Sequence, residues 1–261
     1  FLEYTGKHKD SETELQLFVY DDKTLVEYDR FDIKAIHAAI DINQVNWLNL
    51  HGLNNLEIIK SIGEFVEVDQ FVLSDILNTT KRSKIEEYND VLFFNIKSLL
   101  PEQNTENIEV EQISFILKSG ILVSFQEKRS DFFLHLRERI RTHSGIVRTR
   151  KADYLLYLLL ETIIANFFIT IENEENNIED LINEIQNSIA DNALIHIEKH
   201  RDNLNFLKKS IIPLRDSLYS IKSIKDDNVF NAITSDNYSF FARLHQKTLE
   251  LIEQVDYDLN S

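Results

Sequence analysis

The residues in this chain best suited to chemistry are carboxylates. Glu172, Glu174, Glu175, Glu179 and Asp180 crowd into the short stretch ENEENNIED. Carboxylate oxygens are hard ligands of the kind Mg²⁺ and Ca²⁺ prefer. The plainer expectation for such a run is a solvated helix face with diffuse cations around it. Glu161 sits apart, inside the apolar segment YLLYLLLETIIANFFITI. His196 and His200 are four residues apart, which places both on one face of a helix. They lack the glutamate of an HExxH frame and a third ligand, so a zinc site is not expected. There is no glycine-rich phosphate loop, no G-x-S-x-G turn and no acid/base dyad, and the chain is not expected to be an enzyme.

The charge balance narrows the partners. Against 44 acidic residues stand 28 basic ones, a net charge of −16. A chain this negative repels a phosphate backbone, so nucleic acid is not an expected partner. The basic residues Arg137, Arg139, Arg141, Arg148, Arg150 and Lys151 cluster in sequence, but no aromatic stacking platform is interleaved with them. Pairing with the acidic helices or with a neighbouring subunit is the expectation for that cluster. The absence of cysteine excludes disulfides and thiolate metal sites and fits a reducing compartment.

These residues need elements to position them. Five Gly and two Pro in 261 residues favour long, unbroken helices. The first half nevertheless alternates in the manner of strands: ELQLFVYDD and TLVEYDRF as a hairpin turning at Asp21-Asp22, then VNWLNL. Helices are predicted from Leu56 to Phe65 and from Gln70 to Leu77. Three further strands follow in DVLFFNIKSLL, VEQISFILKS and GILVSFQE, with a tight turn at Ser119-Gly120. Asp131 to Arg141 returns to helix. Beyond Ala152 the pattern predicts three long helices, from Asp153 to Ile189, from Ala193 to Ile221 and from Asn237 to the chain's last residues, with a loop between Ser223 and Asn231. Tyr154 to Ile171 is long enough for a membrane span, but Glu161 and Asn166 interrupt it, and a buried helix is the expectation. Pro213 falls inside the second long helix, where it should strain the backbone. The fold class is therefore α+β: a sheet flanked by helices, followed by long antiparallel helices. The expected divisions are 1–150, an α/β domain; 151–236, an acidic helix pair; and 237–261, a final helix that reads as cut short.

Three ordered blocks carry a family resemblance. The first is SFQEKRSDFFLHLRERIRTHSGIVRTRKADYLLYLLLETI, from Ser124 to Ile163. The second is VNWLNLHGLNNLEIIKSIGEFVEVDQFVLSDILNTTKRSKIEEYNDVLFF, and the third is LNFLKKSIIPLRDSL. Together they resemble the CorA magnesium and cobalt transporters over essentially the whole chain. The resemblance implies the cytoplasmic regulatory domain of a homopentameric channel of the cell inner membrane, with the final helix as the start of a stalk leading into membrane spans beyond Ser261. It implies uptake of Mg²⁺, and of Co²⁺ or Ni²⁺, with Mg²⁺ bound between subunits favouring the closed state.

In the family's L-E-D-I-L motif the aspartate corresponds to Asp75 of Leu73-Ser74-Asp75-Ile76-Leu77, which would be half of an inter-subunit metal site whose partner carboxylate lies beyond the chain end. Glu161, Glu172, Glu175 and Glu179 are secondary candidates. Ser74, Arg243, Gln246, Ala165 and Asn166 stand where the family often has acids, so a second metal site is expected to be altered or missing. A zinc transporter of the same superfamily, or a soluble helical interaction module, would account for the same architecture.

Overall fold

The computed structural model describes residues 2–99, 107–130, 132–187, 192–222 and 230–261. The chain opens with a hairpin of β1 (Glu14–Tyr20) and β2 (Leu25–Tyr28). At its turn the Asp21 carboxylate accepts from the amides of Lys23 at 2.9 Å and Thr24 at 2.7 Å. A single helical turn, α1 (Ile36–Ala39), leads to β3 (Val45–His51). Two helices follow, α2 (Leu56–Val66) and α3 (Gln70–Leu77). Asn55 caps α2, its side chain accepting from the Ile58 amide, and Glu67 ends it in the left-handed conformation. Then come β4 (Lys84–Tyr88), β5 (Val91–Leu99), β6 (Val110–Lys118) and β7 (Ile121–Gln126). Gly120 takes φ +76° in the β6–β7 turn, and a Cβ there would press to 3.0 Å from the Ile42 carbonyl.

The seven strands form one sheet in the order β2-β1-β3-β7-β6-β5-β4, antiparallel except for the central parallel pair β3–β7. Each strand alternates its side chains between two cores. Leu17, Leu48, Phe93 and Phe125 pack against α2 and α3 on one face. Phe18, Trp47, Phe94 and Phe115 point to the other, where α4 (Leu134–Arg141), α5 (Ala152–Gln186), α6 (Ala193–Lys222) and α7 (Tyr238–Asn260) lie. The result is a three-layered α+β fold.

Most expected elements are present; β4 and the start of α4 differ. β4 was not foreseen: KIEEY has no apolar alternation because it is a half-buried edge strand, held to β5 through a turn in which Asn89 and Asp90 both take positive φ. α4 starts at Leu134 rather than at Asp131, which lies outside the described residues, as do Ile189 at the expected end of α5 and most of the expected loop from Ser223 to Asn231. The segment from Ala152 to Leu160 is buried on all sides, so the membrane-length helix is a core helix laid across the sheet. Pro213 lies inside α6 without ending it.

A polar chain runs through the core across the parallel pair. The Trp47 indole N–H donates to Ser124 Oγ at 2.9 Å, and Ser124 Oγ donates to Asn49 Oδ1 at 2.6 Å. Arg137 lies over the Trp47 ring at 5.1 Å. Replacing Ser124 by Ala strands both an indole donor and an amide acceptor in an apolar layer, and is expected to cost about 2 kcal/mol. Urea unfolding should show this, and a Trp47→Phe/Ser124→Ala double variant should lose less than the sum of the single losses.

Candidate metal site at the end of helix α3

Helix α3 carries Asp75 near its C-terminal end, and the inward side of the helix is set by Val72, Leu73, Ile76 and Leu77. Asp75 itself is only 8% exposed. A solvated position near a helix start, the ordinary alternative to a metal role, is therefore not what the fold provides. Its carboxylate faces two ammonium groups of its own chain, Lys84 Nζ at 2.6 Å from Oδ2 and Lys81 Nζ at 3.8 Å from Oδ1. Burial alone would lower the Lys84 pKa, but the hydrogen bond and charge of Asp75 outweigh it and the pKa is raised.

The end of α3 is tied to the sheet from below. Gln112 on β6 donates through Nε2 to the carbonyls of Asp75 and Ile76, both at 3.1 Å. Lys97 on β5 holds the other end of that amide at 3.0 Å and also donates to the Thr79 carbonyl. The Gln112 backbone N–H in turn donates to Glu127 Oε2 at 2.8 Å, and Tyr4 donates to Glu127 Oε1. Beside this network Glu111 is buried, next to the backbone N–H groups of Glu127 and Lys128. Burial first, then the Glu127 charge, push its pKa up to about 8.

The other expected ligands lie elsewhere. Asp75 packs on the α2/α3 side of the sheet, whereas Glu161, Glu172, Glu175 and Glu179 ride on α5 across the opposite face. Glu161 accepts from Tyr157 Oη at 2.5 Å and pairs with Lys247 of α7 at 3.6 Å. Glu172 and Glu179 are exposed. Glu175 accepts from Gln254 of α7 at 2.8 Å and lies beside Asp258, a residue that sequence reasoning passed over. Burial and the Glu175 carboxyl raise the Asp258 pKa to about 7.

Glu174 corrects the reading of the acidic run as one solvated face. It is buried, bonded to His200 Nδ1 at 2.5 Å and approached by Asn203 at 3.4 Å. His200 is therefore engaged by a carboxylate rather than facing His196 across an open ligand site. Two residues of the basic cluster find partners within the first half of the chain. Arg141 pairs with Glu27 and Glu138, while Arg148 donates to the carbonyls of Asp21 and Ile140. Among the described residues no three His, Asp or Glu side chains are gathered as a metal-binding group.

Asp75 thus offers at most two oxygens, both now facing lysines. A Mg²⁺ ion can be held by one or two carboxylates and several waters, so the donor is of the right kind, but oxygen ligands from outside this chain are needed to complete the shell. Arg243 is exposed and lies over the Phe240 ring at 5.7 Å, and Gln246 is exposed as well.

Residues 42–260 match the family described as CorA-like Mg²⁺ transporter protein. The chain belongs to the CorA family. The cobalt/magnesium transport protein CorA of Thermotoga maritima is 29% identical over 255 residues, a match covering 98% of this chain and 71% of that protein. The soluble domain of CorA from Methanocaldococcus jannaschii has the same fold, with a TM-score of 0.74 at 19% identity, covering 94% of this chain and 92% of that one. The ZntB cytoplasmic domain of Vibrio parahaemolyticus matches at a TM-score of 0.73 and 14% identity over 95% of this chain and 93% of that one. At such identities these structures share the fold alone. CorA proteins are ion transporters rather than enzymes.

The raised Glu111 pKa has a signed consequence. The folded state keeps this proton at pH values where the unfolded chain has lost it, so stability falls as pH rises from the ordinary carboxylate range towards 8. Glu111→Gln keeps a neutral side chain throughout. Thermal unfolding should show little gain for this variant near about pH 5 and a growing gain up to about pH 9.

Proposed function

We propose that this chain is the Mg²⁺-responsive cytoplasmic part of a divalent-cation channel of the cell inner membrane, one that takes up Mg²⁺ and also Co²⁺ or Ni²⁺. The reading rests on membership of the CorA family and on the cobalt/magnesium transport named for the Thermotoga maritima relative. The observation that carries the regulatory part is the near-burial of Asp75 against lysines of its own chain. In this reading the full protein is a homopentamer, and Asp75 supplies one carboxylate to a site completed by a neighbouring subunit.

The physical basis is cation exchange at a buried carboxylate. Without Mg²⁺, Lys84 neutralises Asp75 within the protomer. When Mg²⁺ is abundant it displaces the ammonium group and draws oxygen ligands from the neighbour, tightening the subunit interface and favouring the closed state. Removing the ion returns Asp75 to Lys84 and loosens the interface. The ion can shift this equilibrium only by as much as it binds the closed arrangement better than the open one. A zinc transporter with the same cytoplasmic fold is the second reading, favoured by the likeness to the ZntB domain.

Transport by the full-length protein in liposomes tests both. Asp75→Ala should weaken inhibition by internal Mg²⁺ by about tenfold or more, the loss expected for one charged ligand. Lys84→Met should act in the opposite sense, shifting inhibition to lower Mg²⁺ because the competing ammonium is gone. It should also cost about 2 kcal/mol of stability in metal-free buffer. Unchanged Mg²⁺ inhibition in both variants would rule out the regulatory role. Uptake of Zn²⁺ with no response to Mg²⁺, Co²⁺ or Ni²⁺ would favour the second reading.

A further inference from the structure

The last four carbonyls of an α-helix have no donor within the helix. In α3 they belong to Ser74, Asp75, Ile76 and Leu77, so the turn that carries Asp75 has to be closed by other groups. Helix α2 closes itself: Glu67 takes the left-handed conformation and returns its N–H to the carbonyls of Gly63 and Glu64. Helix α3 ends differently. Its cap residue Asn78 is extended, and the Asn78 N–H goes to the Ser74 carbonyl at 2.9 Å. The other three carbonyls are met from distant parts of the chain. Gln112 Nε2 serves Asp75 and Ile76, and the Thr5 N–H of the N-terminal segment serves Leu77 at 3.1 Å.

Gln112 can fill this role because Lys97 fixes which way its amide points. Lys97 stands directly opposite Gln112 across the β5–β6 ladder, and its ammonium takes Gln112 Oε1 at 3.0 Å. An ammonium can only donate, and the α3 carbonyls can only accept, so Oε1 must face Lys97 and Nε2 must face the helix. The same ammonium donates to the Thr79 carbonyl, which holds the chain on the far side of the last turn. Gln112 is itself anchored, 2% exposed and with its backbone N–H held by Glu127. Asp75 and Ile76 are also buried, so a carbonyl released there gains little solvent in exchange for its lost donor.

The direction of a helical side chain follows from the backbone that carries it. With the Asp75 carbonyl held by Gln112, the carboxylate leaves the helix towards Lys84 Nζ, 2.6 Å away.

We propose that Gln112, oriented by Lys97, is a positioning residue for Asp75. It acts through the backbone of α3 without contacting the ion, and keeps the carboxylate aimed so that Mg²⁺ can replace Lys84 with no rearrangement of the helix end. This role rests on the regulatory reading of Asp75 given above and names two residues through which that response is tuned.

Inhibition by internal Mg²⁺, measured for the full-length protein in liposomes as a cycle of wild type, Gln112→Leu, Asp75→Ala and the double variant, tests the proposal. Gln112→Leu should raise the Mg²⁺ concentration for half-inhibition by about fivefold, as for one lost hydrogen bond. Once Asp75 is Ala, the same substitution should change nothing further. Lys97→Met keeps Gln112 but frees its amide to turn, and should shift inhibition the same way by about twofold. Should Gln112→Leu fail to fold, Lys97→Met carries the same cycle. Equal shifts with and without Asp75 would mark a merely structural contact and overturn the proposal. Wild-type inhibition in Gln112→Leu and Lys97→Met, beside a weakened response in Asp75→Ala, would overturn it while leaving the regulatory reading of Asp75 standing. Unchanged inhibition in Asp75→Ala would overturn both. Acetylation of Lys84 in EDTA adds a readout that needs no transport: losing the carboxylate lowers the Lys84 pKa, so Asp75→Ala and Gln112→Leu should each speed labelling by about threefold or more. Faster labelling in Asp75→Ala alone would count against Gln112.

Discussion

Burial of α5 against the sheet is the constraint on which the rest of the structure depends. From Tyr154 to Ile171 its apolar residues fill the space above Trp47, Phe94 and Phe115, with Leu155, Leu159, Ile163 and Phe167 entirely inside. Each such side chain contributes roughly 2 kcal/mol on burial, so this one helix provides a large part of the gross hydrophobic term. Once α5 is fixed, α7 packs along it and α6 packs against both α5 and the β4–β5 side of the sheet, and the polar side chains of α5 find partners there. Asp153 accepts from Thr234 and Asn237, Glu161 pairs with Lys247 of α7, and Glu174 accepts from His200. Carboxylates that in sequence look like free ligands act in the fold as fasteners between helices.

The opposite face of the sheet escapes that constraint. There α2 and α3 are short, and the Asp75 carboxylate pairs with lysines that follow it in the chain. A carboxylate satisfied by flexible ammonium groups is exchangeable in a way that Glu174, locked to an imidazole in the interior, is not. Lys84 keeps nearly a third of its side chain exposed, so it can leave without the core opening. The difference between a fixed and an exchangeable carboxylate here lies in the mobility of the partner rather than in the acid.

How much of this was legible in the sequence follows from which interactions are local. α2 and α3 could be read from periodicity, and the β1–β2 and β6–β7 turns from Asp21 and Gly120, because capping, alternation and positive φ act over a few residues. β4 escaped because its five residues are uniformly half-buried and its stability comes from β5. Asp75 was found through the family motif; its spacing alone would not have singled it out. Glu111, Tyr20 and Asp258 carried no sequence signal. What marks each of them, a missing partner or a neighbouring acid, is created by chains meeting from distant parts of the sequence.

The polarity of α5 ties the two halves together. A helix is positive at its N-terminus and negative at its C-terminus, and charges of opposite sign are favoured at each end. Apart from Asp153, α5 has this reversed: Arg148, Arg150 and Lys151 gather at its start, and Glu172, Glu175, Glu179 and Glu184 load its second half, with no basic residue in the last turn. Local electrostatics alone would select against such a helix, so packing must hold it in place.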